Sequence, residues 1–514
     1  MSTNDLWTGG YVAELPYTFG YYRELTPSIH NFALAIKGVA QSGTANETFN
    51  YCELGCGQGV SVALLAAAHP GAQFYATDFN PTHTAHGRRL AAAGGVSNVT
   101  FFDDSFEELI ERDLPEMDCI ALHGVYSWIS PETRRSIVAF IRKRLKVGGV
   151  VYISYNAQPG WAAAIPMRDM MVAHASGSSA PIAQRIEAAI AFATKMEGAG
   201  AKYFQANPTL KTRLERLAGM SRNYLAHEYF NRDWHPMYFR DVAREMSDAK
   251  LDYVGSAHLT DHVDAVNLTA EQAQLLAETP DPMVQETLRD FMTNQQFRRD
   301  LYVRGPFRLS VMDQLEQLRN MRFALSQSPA DTPRTISGLN GEASLQAEVY
   351  DPIINALGNG PMTLRQLGEA SGVNGMDAPR VLQALTILVG GGSLQPSANL
   401  SPKVDAQRKR STEQFNRAIM DLSQHSNDYA FLASPVTCGG VQVDRFDQLF
   451  LLAKRMNQSD AVTFVWNILL AQNQRMIRDG KLLQTAEENM AELTERFTSF
   501  TNKRLPILKQ LDIA

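Results

Sequence analysis

Three glycines in five residues, Gly55, Gly57 and Gly59, follow an apolar run over 49–54 and precede an Ala/Leu-rich stretch over 60–68. No other feature constrains the fold as much. The run predicts a short buried strand and the stretch predicts a helix. The turn between them needs backbone conformations that glycine adopts at no steric cost. A second apolar run, Phe74-Tyr75-Ala76-Thr77, ends at Asp78, nineteen positions after Gly59. Strand, glycine turn, helix, strand and acid is the layout of a nucleoside-binding crevice at the C-terminal edge of a parallel sheet. A dinucleotide site would need G-x-G-x-x-G, whose third glycine falls where this chain has Val60. The spacing here is G-x-G-x-G, with Glu53 two residues upstream.

That motif resembles the first motif of class I S-adenosylmethionine-dependent methyltransferases. The resemblance implies S-adenosylmethionine as cofactor, its methionine moiety over Gly55, Gly57 and Gly59 beside Glu53, its ribose hydroxyls on Asp78, and Phe79 next to them. A third strand is expected over 99–102. It ends at Asp103-Asp104-Ser105, where such enzymes place a side chain on the adenine amino group. Asp104 and Ser105 are therefore cofactor candidates, although carboxylates there can also cap the helix that begins at Phe106. A fourth strand, 118–122, runs into His123-Gly124-Val125-Tyr126-Ser127-Trp128, and a fifth, 150–154, into Tyr155-Asn156. In this fold those two ends face the reactive methyl group. The resemblance thus implies His123 and Gly124 at the cofactor, and Tyr126, Trp128, Tyr155 and Asn156 around the acceptor. The leader holds Tyr11, Tyr17, Phe19, Tyr21 and Tyr22 ahead of a helix over 27–39. Tyr17 is expected to close over bound adenosine, or else to pack on the sheet.

Bulk properties narrow the setting. A length of 514 residues suggests about three domains. A formal charge of −6 argues against non-specific nucleic-acid binding, which needs a basic face. No run of 18 apolar residues occurs, so no membrane span is expected. Met1-Ser2-Thr3-Asn4-Asp5 lacks the basic and apolar regions of a signal peptide. Cys52, Cys56, Cys119 and Cys438 are scattered as buried thiols would be rather than as a zinc or disulfide framework. The expected location is cytoplasmic. His227, Glu228 and His235 lack metal-site spacing, and no metal is expected.

Beyond a core of residues 1–161, helices are expected over 165–175, 183–196 and 210–224, forming a cap inserted at 162–235. The catalytic fold then resumes over 236–305 with a helix (238–248) and strands (251–255 and 299–303). Here His227-Glu228-Tyr229-Phe230, Tyr253-Val254-Gly255-Ser256-Ala257 and Phe297-Arg298-Arg299-Asp300-Leu301-Tyr302 resemble the predicted methyltransferase regulatory domain family, which includes the rickettsial protein lysine methyltransferases. The expected architecture is α/β: a Rossmann-like sheet with a helical cap, then a linker (306–344), a winged-helix-like module (345–405) and a helical region (406–514). Between 345 and 400, four acids (Glu348, Asp351, Glu369, Asp377) outnumber two arginines (Arg365, Arg380), so that module suits a protein partner better than DNA. The tail is expected to hold a helix after Arg408-Lys409-Arg410, an apolar loop at 432–436, and helices over 446–457, 460–478 and 484–500. Leu449-Phe450-Leu451-Leu452 is a candidate homodimer surface. The implied activity is methyl transfer to protein lysine side chains. Small-molecule or O-methyl transfer, and non-enzymatic cofactor sensing, are the alternatives.

Overall fold

A computed structural model of the chain describes residue 11 and residues 17–338, 341–398 and 402–514. The expectation about the first five residues lies outside them. Strands β1 (Asn50–Leu54), β2 (Gln73–Thr77), β3 (Val99–Phe102), β4 (Met117–Leu122), β5 (Leu145–Asn156), β6 (Leu251–Ser256) and β7 (Phe297–Arg304) form one sheet. Its order is β3-β2-β1-β4-β5-β7-β6. All neighbouring pairs through β5 are parallel, and β7 lies antiparallel between β5 and β6. Strand order reverses between β1 and β4, where Cys52 pairs with Tyr75 on one side and Ile120 on the other. In such sheets a ligand crevice opens outside the carboxyl ends at that reversal. The sheet is Rossmann-like, as expected.

Side chains alternate across the sheet with the strand period of two. Tyr51, Cys119, Ala121, Val150 and Tyr152 enter the core on one face, and Cys52, Leu54, Ile120, Val151 and Ile153 that on the other. The helix Val60–Ala68 is buried at all nine positions, which its sequence, apolar all round, demands. One side lies on the sheet, and the other is covered by the C-terminal helix Pro402–Ser423 and the hairpin Phe431–Ser434/Gly439–Gln442. The second half of the chain is therefore one continuous core with the first. The cap helices Ile165–Ser176, Ile182–Gly198 and Thr209–Gly219 pack around a core of their own.

Several expectations change. The helix foreseen over 210–224 breaks at Met220-Ser221 into Thr209–Gly219 and Arg222–Tyr229. Residues 306–344, foreseen as a linker, carry a helix, Val311–Asn320, and a strand, Arg322–Leu325. That strand is the centre of a three-stranded antiparallel sheet with Met362–Thr363 and Leu394–Ser397. The strand Leu394–Ser397 thus pairs with residues 69 to 75 positions upstream, a partner no local pattern announces. The apolar loop at 432–436 begins as a hairpin strand, and the helix foreseen to 478 ends at Ala471. Leu449, Phe450, Leu451 and Leu452, foreseen as a dimer surface, are buried inside the chain, where Phe450 packs on Phe497 and Phe500. No helix among the described residues is long and apolar enough to cross a membrane. The four cysteines are buried and unbridged.

Candidate active site

The glycine turn is pinned to the end of β2. The N–H groups of Gly55 and Cys56 both donate to the carbonyl of Thr77, at 2.8 and 3.0 Å. Gly55 has φ +74°, and a Cβ there would stand 2.4 Å from Cγ2 of Val125, so backbone and space both require glycine. The Asp78 carboxylate holds the next turn: Oδ2 accepts from Gly57 N–H at 2.9 Å, and Oδ1 accepts from Asn80 N–H at 3.0 Å. His83 Nδ1 lies 3.1 Å from the same Oδ1. Its Nε2 accepts from Tyr17 N–H at 3.3 Å, which leaves Nδ1 as the donor to Asp78. Glu53 ends β1 beneath this loop. Its Oε2 is buried without a partner among the described residues, and burial, with Asp78 nearby, pushes its carboxyl up to about 8.

The aromatic leader crosses above. Gln58 Nε2 donates to Tyr17 O at 3.2 Å, and Tyr22 N–H donates to Ser61 Oγ at 3.2 Å. The Tyr17 ring edge would lie 3.3 Å from a Cβ at Gly57. Tyr22 stacks on His123 with ring centroids 3.9 Å apart. His123 Nδ1 meets the Tyr152 hydroxyl at 2.8 Å, and burial holds the imidazole down to about 4, hence neutral. Gly124 N–H donates to Ser154 Oγ at 2.8 Å, tying the end of β4 to β5. Tyr11 stands edge-on to Phe79 at 5.6 Å.

The cap closes the far side. His235 N–H donates to Ser127 O at 2.8 Å. Trp234 stacks on Trp128 at 5.9 Å and meets Trp161 edge-on at 5.0 Å. The Arg213 guanidinium lies 4.3 Å over Trp161. His227 reaches the rings of Tyr11 and Tyr17 at 5.5 and 5.2 Å. Its neighbour Glu228 is pushed up to about 7 by burial.

Known proteins resemble this chain in sequence and fold. A methyltransferase domain model matches residues 52–151, and a predicted methyltransferase regulatory domain model matches residues 221–304. Over 508 residues, 99% of this chain and 100% of the relative, the chain is 47% identical to an uncharacterized protein of Synechocystis sp.. The chain belongs to this methyltransferase family. An uncharacterized protein of Rickettsia prowazekii is 25% identical over 338 residues, 65% of this chain and 60% of that one. PKMT2 from Rickettsia typhi, solved in complex with AdoHcy, superposes with a TM-score of 0.70 over 97% of this chain and 100% of that chain, at 17% identity; the likeness is one of fold. The chain is an S-adenosylmethionine-dependent methyltransferase, and its crevice fits that group. The glycine turn leaves a cradle that side chains would fill, and Glu53 keeps an unpartnered buried oxygen for a cationic ligand.

In this methyltransferase Tyr17, Glu53, Gly55, Gly57, Gly59, Asp78, Phe79, His123 and Gly124 gather at the crevice mouth. Asp104 lies just past β3, but Arg112 grips its carboxylate, with Nη2 donating to Oδ1 at 2.8 Å. Ser105, foreseen at the cofactor, instead caps the helix Phe106–Glu111 through a reciprocal pair with Glu108. The carboxylates Asp103 and Asp104 do not cap it. Tyr126 and Tyr155, foreseen at the acceptor, belong to the core of the opposite sheet face. Tyr126 donates to Glu245 at 2.5 Å and Tyr155 to Asp300 at 2.6 Å. Tyr126 thus serves the partly exposed Glu245 and Tyr155 the buried Asp300. Tyr155 follows Val151 and Ile153 onto one face of β5 with the period of two, whereas Tyr126 turns there in the short helical turn Tyr126–Trp128 beyond β4. Trp128 does join the aromatic wall, and Asn156 sits buried at the end of β5 with its N–H on Ser127 Oγ at 2.8 Å. Tyr22 was foreseen only as one of the leader aromatics able to close over adenosine, and His227, Glu228 and Trp234 only as the return of the cap. His227 and Glu228 stand in a family-specific phrase, but only the fold brings them over a crevice built some 150 residues earlier.

Proposed function

We propose that this enzyme methylates lysine side chains of proteins. The observation that carries the reading is the aromatic enclosure at the active edge, with Tyr17 and Tyr22 from the leader, Trp128 after β4, and Trp161 and Trp234 from the cap. A lysine acceptor must lose a proton before it can react, at a cost of about 4 kcal/mol near neutral pH. An aromatic enclosure that excludes water lowers the amine pKa and offsets part of that cost. When bound, S-adenosylmethionine supplies a methyl group on a sulfonium. The chain's task is then to hold two groups in line, which contributes roughly 7–11 kcal/mol to lowering the barrier. We assign cofactor retention to Glu53, Asp78 and the glycine turn, with Phe79 and Asp104 at the adenine end. His123, held neutral and stacked under Tyr22, adds no like charge to repel a sulfonium. The fold shared along its whole length with PKMT2 from Rickettsia typhi agrees with a protein acceptor. The winged-helix-like unit around residues 345–397, with its acidic balance, is assigned to protein contact.

The test is incubation of the enzyme with methyl-labelled cofactor and bacterial lysate, followed by acid hydrolysis of the protein fraction. Labelled N-methyl-lysine is expected. Label confined to small molecules would exclude lysine and leave a metabolite as acceptor.

A further inference from the structure

The helix Arg222–Tyr229 closes the cap and carries Tyr224 and Glu228 one turn apart, on one face. Glu228 is half-buried and has neither hydrogen bond nor ion pair among the described residues. Burial raises its pKa, and no lysine or arginine among the described residues offsets that burial. Its charge bears on the phenols of Tyr11, Tyr17 and Tyr22 from the leader and on Tyr224 from its own helix. Tyr22 lies flat on His123 at the end of β4, so the carboxyl stands over the edge of the sheet where the cofactor crevice opens. A carboxylate removed from water and left unpaired is destabilising until a cation joins it, and such groups are kept where a ligand brings the cation.

We propose that Glu228 receives the cationic end of the methyl acceptor, an alkylammonium, among the rings of Tyr17, Tyr22 and Tyr224, and takes its proton before transfer. The assignment rests on the lysine reading above and sharpens it: a hydroxyl acceptor would leave the carboxylate unpaired. The ring faces add cation–π attraction. In the reaction, an N–H bond of the ammonium breaks and the proton passes to the Glu228 carboxylate. The freed lone pair forms the new N–C bond to the methyl carbon while the S–C bond breaks, its electron pair remaining on sulfur. The product leaves as a methylated ammonium, and Glu228, still partly open to solvent, releases the proton to water. A carboxyl near neutral acidity stands closer to the amine's ~10.4 than an ordinary one, which eases that transfer.

The experiment titrates the full-length protein, saturated with S-adenosylhomocysteine, with n-butylammonium and with n-butanol by calorimetry. Wild type should bind the ammonium about ten- to a hundredfold more tightly than Glu228→Gln. Butanol should bind both equally weakly, and cofactor affinity should not change. Glu228→Asp, which keeps the charge but withdraws it by one methylene, should recover part of the ammonium affinity. Equal ammonium binding by wild type and E228Q, no recovery in E228D, or loss of cofactor binding in E228Q would each overturn the assignment. Because the readout is binding, the two claims separate. Intact ammonium selectivity with no methylated lysine would remove the lysine reading alone. Methylated lysine formed equally by wild type and E228Q would remove Glu228 alone.

Discussion

Glu53 couples folding to cofactor binding, and the variant Glu53→Gln exposes the coupling. Burial lifts its carboxyl to about 8, against ~4.3 in an unfolded chain. Between those values the native state keeps a proton that the unfolded state has released. Stability therefore falls as pH rises, at about 1.4 kcal/mol per pH unit, and levels off above 8. From pH 5 to pH 8 the wild-type protein should lose about 3–4 kcal/mol that E53Q, which has no proton to lose, retains. The assay is thermal or urea denaturation of cofactor-free protein at half-unit pH steps, plotted as the difference between the two proteins. Saturating S-adenosylmethionine should act in the opposite sense, since a cationic ligand favours ionised Glu53. Wild-type affinity should weaken by up to about tenfold per pH unit below 8, while E53Q binds weakly at every pH. Parallel stability profiles for wild type and E53Q, or a pH-independent wild-type affinity, would refute the reasoning.

Gly55→Ala places a Cβ 2.4 Å from Val125 Cγ2 at φ +74°; about 1–3 kcal/mol of stability and most cofactor affinity should be lost, and calorimetry showing normal binding would contradict the built turn. Tyr126→Phe deletes a hydrogen bond to the partly exposed Glu245, and Tyr155→Phe one to the buried Asp300. Each should lower stability by about 1–3 kcal/mol while kcat stays within about twofold; a collapse of kcat at unchanged melting temperature would return them to the acceptor site. Arg298→Met strips the buried partner from Asp290 and Asp300, which it meets at 2.6 and 3.0 Å. A loss of about 3–5 kcal/mol is expected in thermal unfolding, easing at acid pH as Asp290, pushed up to about 7 by burial, takes on a proton.

The local half of this protein was readable because it is written at short range. Strand, glycine turn, helix and Asp78 lie within thirty residues, and each glycine answers a clash or a positive φ at its own position. The strand periods and the all-round apolar helix Val60–Ala68 are likewise properties of a few consecutive residues. What covers that helix is not: the helix Pro402–Ser423 comes from the other end of the chain, and a buried apolar face specifies that something must cover it without naming what. The same limit explains the linker that became a sheet strand and the apolar run Leu449-Phe450-Leu451-Leu452 that turned inward rather than toward a second copy. At the site, adjacency in sequence misled: the alternation of β5 sends Tyr155 into the far core, and the turn after β4 sends Tyr126 there. Sequence by itself determined a sulfonium-cofactor crevice and the succession of strands and helices that flank it. Tertiary structure alone decided which aromatic and acidic side chains gather over the crevice, because they come from the leader, the strand ends and the cap, whose convergence depends on how the layers pack.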